Sequence, residues 1–124
     1  MTKKEIFIEM MKYKTWNFAI QIIHFCDSLK KTEASKVITY QMIKSATSTG
    51  ANYRAACKSR SKKEFFSKLC IVAEESDETI YWLDVIDGAD VSNDSRELEK
   101  LKQEAKEITK IISKAKDTIY NTGF

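Results

Sequence analysis

Proline is absent from this chain, and glycine appears only at Gly50, Gly88 and Gly123. Sandwiches and barrels turn often and draw on these residues at their turns, so an all-β architecture is excluded. Histidine occurs once, at His24, and the three cysteines, Cys26, Cys57 and Cys70, form no CxxC pair. Thiols that are odd in number and widely spaced read as reduced core side chains, not as a disulfide framework or a zinc site. No apolar run approaches the roughly 20 residues of a membrane span. The opening stretch MTKKEIFIEMMKYK is charged throughout, unlike a signal peptide. These absences point to a cytoplasmic protein without a membrane partner.

What is present is helical. A chain of 124 residues has room for one core and is read as a single domain over 1–124. Leu98, Leu101, Ala105, Ile108, Ile112, Ala115 and Ile119 step by three and four without a break, which predicts an amphipathic helix over 94–120. Ser92, Asn93 and Asp94 are N-cap candidates, with Glu97 three residues beyond Asp94. Phe65, Leu69, Val72, Ser76, Thr79, Leu83 and Ile86 repeat the pattern over 61–87, with Ser61 and Glu64 as a capping box and Gly88 as a C-cap. Phe66, Ala73 and Ile80 widen the buried face of that segment.

The segment 34–58 begins with Ile38 and Met42 and then turns to Ser, Thr, Gly and Ala, all but Ala poor helix formers. Two stripes persist through it, one through Ser45, Thr49 and Asn52 and one through Ala46, Gly50 and Tyr53. A helix that allows close backbone approach at Gly50 is expected, with a loop over 45–51 as the rival. The first segment, 3–30, carries Trp16, Ile20 and Ile23 on one row and Phe18, Ile22, Phe25 and Leu29 on another. So broad an apolar surface belongs to a central helix or to one that another subunit covers. Short connections join the four helices, and the expected fold is all-α, an antiparallel up-down-up-down four-helix bundle.

Charge is uneven. Residues 1–63 hold 13 Lys and Arg against 4 Asp and Glu, whereas residues 64–124 hold 8 against 14. The two halves either attract each other and neighbouring subunits, or the basic half meets an anionic partner. Arg54, Lys58, Arg60, Lys62, Lys63 and Lys68 surround the turn between the second and third helices, near Tyr53, Phe65 and Phe66. These six are the candidate nucleic-acid-binding residues, able to grip a phosphate backbone. The competing reading is a solvated turn with Arg54 in an ion pair. Glu74, Glu75, Asp77 and Glu78 form an acidic cluster, expected to pair with Arg54, Lys58 or a lysine of another subunit, with a divalent-cation site as the lesser alternative.

From Ser45 to Ile86 the sequence reads SATSTGANYRAACKSRSKKEFFSKLCIVAEESDETIYWLDVI. Ser45, Asn52, Arg54, Arg60-Ser61-Lys62, Phe65-Phe66 and the acidic stretch Glu75 to Trp82 resemble the signature of the four-helix-bundle family named after the 23S rRNA intervening-sequence protein. The length and helix order of the whole chain fit that family. Asn52-Tyr53-Arg54-Ala55-Ala56 departs from its commoner N-[IV]-A-E-G version. The resemblance implies a ring, commonly a homopentamer, and no enzymatic activity. A more distant relative, the accessory protein of diversity-generating retroelements, is a basic pentameric barrel that binds a reverse transcriptase and nucleic acid.

Catalytic patterns are not met. A di-iron bundle needs Glu-x-x-His, and Gln21 stands three residues before His24. Cys26 lies two residues from His24, on a different helix face, which is unsuited to a nucleophile and its base. Phosphate-binding glycine loops are missing. Neither a cofactor, a metal nor a small-molecule substrate is implied. The expected function is a non-enzymatic homo-oligomeric scaffold, pentameric by resemblance, that contacts RNA or a ribonucleoprotein through the basic turn. The alternative is a protein–protein adaptor that binds no nucleic acid.

Overall fold

The structure, a computed structural model, describes residues 1–123. Four helices follow one another: α1 (Lys3–Asp27), α2 (Glu33–Ala56), α3 (Lys62–Gly88) and α4 (Ser95–Thr122). Each packs on its neighbours in chain order, and α1 closes the ring against α4 through the thinnest of the four seams. The diagonal pairs α1/α3 and α2/α4 keep their Cα atoms more than 8 Å apart. This is the all-α four-helix bundle expected from the periodicity. Among the described residues, no helix is long and apolar enough to cross a membrane.

The segment over 45–51 is helix and not loop. Its hydroxyls fold back onto the helix: Thr49 Oγ1 donates to the Ser45 carbonyl at 2.8 Å, and Thr47 Oγ1 to that of Ile43 at 2.7 Å. Groups that could compete with the backbone are thereby occupied, and packing supplies what propensity lacks. The core takes Met11, Phe18, Ile22 and Phe25 from α1, Ile38, Met42 and Tyr53 from α2, Leu69, Val72, Leu83 and Ile86 from α3, and Leu101, Ile108 and Ile112 from α4. Each such burial stabilises the fold by about 1.5–3 kcal/mol. A layer of hydroxyls interrupts this core at mid-height. Ser45 and Thr79 bond across the α2–α3 seam at 2.8 Å, and Ser76 bonds Thr109 across the α3–α4 seam.

Several helix ends differ from expectation. The first helix stops at Asp27, short of residue 30, because the chain is drawn to the α3–α4 connection: the Lys30 amide donates to the Val91 carbonyl at 2.9 Å. Asn93 Nδ2 reaches the Ser28 carbonyl from the same connection. The capping box proposed for Ser61 and Glu64 is half formed. Ser61 Oγ accepts the Glu64 amide, but the Glu64 carboxylate turns to Lys68 at 3.2 Å. A reciprocal box stands instead at the start of α2, between Thr32 and Ser35.

Gly88 is not a C-cap. It is the last helical residue of α3, Ala89 caps, and the left-handed position falls to Asp90 at φ 56°. The Val91 amide bonds the Ile86 carbonyl and the Asp90 amide bonds that of Asp87, which is a Schellman closure. Val91 and Ile86, both buried, make its apolar contact positions.

Candidate functional site

The antiparallel order brings the N-termini of α1 and α3 and the C-termini of α2 and α4 to one end of the bundle. The stretches on that side of the hydroxyl layer (1–14, 45–75 and 109–124) hold 13 Lys and Arg against 6 Asp and Glu. The stretches on the far side hold 8 against 12. The bundle is therefore polarised along its axis.

The α2–α3 turn shapes the basic end. As α2 ends, the amides of Cys57, Lys58 and Ser59 bond back to the carbonyls of Tyr53, Ala55 and Ala56, and Ser61 then caps α3. So short a turn holds Lys58, Arg60, Lys62 and Lys63 close together, all exposed. Arg60 and Lys62 line a depression of about 320 Å³ with Lys4 and Ile8 of α1, whose floor includes Ala56 and Phe65. Lys4 was not among the sequence candidates. Its signal was available: antiparallel order places the start of the first helix beside the second turn.

The other two candidates are placed differently. Lys68 is half-buried and paired with Glu64. Lys68 and the Arg60 backbone and charge hold the Glu64 carboxyl below its usual range. Arg54 faces α1, lining a groove with Lys12 and Trp16. It forms no ion pair among the described residues, contrary to the solvated-turn reading.

That groove, about 310 Å³, runs between α1 and α2 and is lined by Trp16, Ala19, Ile20, Ile23, Gly50 and Ala51, with Lys12 and Arg54 included. It accounts for the doubly apolar first helix. Phe18, Ile22, Phe25 and Leu29 enter the core, whereas Ile20 and Ile23 are half-buried and Trp16 is 56% exposed. Ile6, Met10 and Tyr13 continue the exposed row toward the N-terminus.

The acidic cluster does not meet Arg54 or Lys58 in ion pairs among the described residues. Glu78 accepts a bond from Trp82 Nε1 at 3.2 Å. Burial, then the charges of Glu78 and Glu74, push the Glu75 carboxyl up against the opposing pull of Lys44.

No group of three or more His, Cys, Asp and Glu side chains among the described residues could hold a metal. His24 is exposed near the end of α1. Burial pushes the Cys26 thiol up to about 11, with a hydrogen bond to Thr39 opposing, so the thiolate is scarce at neutral pH.

The family model described as 23S rRNA-intervening sequence protein matches residues 10–114, which span the groove, the basic turn and the acidic face. The chain belongs to the 23S rRNA-intervening sequence protein family. A crystal structure of a protein of unknown function from the S23 ribosomal protein family, from Bacteroides thetaiotaomicron, is similar to it at 27% identity. The likeness covers 89% of this chain and 97% of that one, with a TM-score of 0.76. No curated protein matches. As a 23S rRNA-intervening sequence family protein, the chain has its matched region begin at Met10, so Lys4 lies outside it.

Proposed function

We propose that this protein is a non-enzymatic scaffold that assembles with copies of itself and contacts RNA through the phosphate backbone at its basic end. The observation that supports RNA contact is the convergence of Lys4, Arg60 and Lys62 on one depression, with Lys58 and Lys63 exposed on the same turn. Cations drawn from separate elements, of which Arg60 is weakly paired with Glu64 at 3.9 Å and already 92% exposed in its side chain, suit a repeating anion better than a single carboxylate. Self-assembly is supported by the exposed apolar row on α1, and five copies is the size the family resemblance favours. Filter binding of labelled RNA across salt concentrations tests the contact. The logarithm of affinity should fall with the logarithm of salt by about 0.7 for each single-strand phosphate contact.

A second reading, a protein–protein adaptor, draws on the same apolar row. It is the outcome if RNA is not retained at any salt. Light scattering tests assembly, with a mass that is a multiple of 14.3 kDa expected.

A further inference from the structure

Among the surfaces that neither the core nor the basic turn uses, two are complementary to each other. One is the α1–α2 groove, apolar along Trp16, Ile20 and Ile23 and cationic at Lys12 and Arg54. The other runs down the outside of α3. Ile71, Glu74, Glu78 and Tyr81 are spaced by three, four and three, which places them on one helix face. All four are exposed, Ile71 at 41% and Tyr81 at 59%. No Lys or Arg occurs between Lys68 and Arg96 to neutralise this face from within α3.

The geometry points to a head-to-tail contact between two copies of this chain, in which the α3 face of one docks into the α1–α2 groove of the next. This rests on the self-assembly reading above and assigns its surfaces. Apolar residues flank a pair of acids on α3, and an apolar groove ends in a pair of cations, so both hydrophobic and charge character are complementary. Lys12 already has Glu9 at 3.5 Å, which leaves Arg54 as the groove cation with no acid paired to it among the described residues. On the α2 side, Gly50 and Ala51 line the groove with nothing larger than a methyl group. The groove opens between α1 and α2 while this α3 face is exposed, and α1 and α3 stand at opposite corners of the bundle, so the docking is between two chains. A contact between two different patches is heterologous and closes into a ring when its rotation permits.

Mixing two variants tests this. Trp16→Glu with Arg54→Glu spoils the groove, and Glu74→Lys with Glu78→Lys spoils the α3 face. All four residues are exposed, so the helical spectrum should be kept. Should the second variant lose it, Ile71→Ser with Tyr81→Ser replaces it. Each variant alone should run as a monomer of about 14.3 kDa by light scattering. An equimolar mixture should pair one to one and stop there, since it holds one sound groove and one sound α3 face. Assembly of either variant alone, or no pairing in the mixture, overturns the proposal while leaving self-assembly standing. A monomeric unaltered protein defeats the assembly reading itself.

Discussion

Gly50 of α2 lies directly against Thr15 of α1: a Cβ built on Gly50 would stand 3.4 Å from Thr15 Oγ1 and 3.6 Å from the Thr15 carbonyl carbon. That is ordinary contact distance, with no slack behind it. Gly50→Ala should therefore be tolerated and gain helix propensity, stabilising by about 0.5–1 kcal/mol. Gly50→Leu must place further carbons beyond the touching Cβ and should destabilise by about 1–3 kcal/mol. Urea denaturation of the two variants checks the sign of each.

Gly88 and Asp90 should respond in opposite ways to what their residue types suggest. Nothing lies within 4 Å of a Cβ at Gly88, which is helical, so Gly88→Ala should stabilise by about 0.5–1 kcal/mol. Asp90 holds the positive φ, and Asp90→Val should lower the melting temperature whereas Asp90→Gly should not. A thermal melt in which Gly88→Ala is the damaging change would place the cap at Gly88 after all.

Ser45 and Thr79 bond each other inside the bundle at 2.8 Å: one hydroxyl donates to the other, and the accepting one spends its own proton on its helix carbonyl, Met42 for Ser45 or Glu75 for Thr79. Ser45→Ala or Thr79→Val alone should cost about 0.5–1.5 kcal/mol. The double variant should cost less than the two together, because neither hydroxyl is then left without the other. Strict additivity in a double-mutant cycle would mean that the hydroxyls do not interact.

At the basic end, Arg60, Lys62 and Lys63 changed together to Ala should weaken RNA binding to all sequences alike, since phosphate contacts position without specifying. The salt slope should drop by about 0.7 for each phosphate that is no longer neutralised. Lys4→Ala should lower it in the same sense, whereas Lys68→Ala should matter less, its charge being committed to Glu64. Filter binding at matched salt series separates these outcomes, and a larger effect at Lys68 than at Lys4 would argue against the depression.

The pattern of α4 was legible because each of its core positions repeats on one stripe and polar residues fill the rest. The middle of α2 was harder, since serine, threonine and glycine argue locally against helix while their value lies in letting α1 and α3 each come close to α2. Arg54 illustrates the limit for the site. It is near the basic turn in sequence, but its position on the helix turns it toward Lys12 and Trp16 once α1 has docked. Lys4 is the converse, distant in sequence and adjacent in the bundle.

The amino-acid pattern by itself determined the number of helices, their approximate extents and the charge of each stretch, because periodicity and composition are local properties. Only the tertiary structure decided which of the two apolar rows of α1 went inside, which cations share a surface, and that Asp90 rather than Gly88 turns the chain out of α3. A row is buried by whatever helix packs on it, and a turn takes its conformation from both of the segments that it joins. Neither is encoded at the residue concerned.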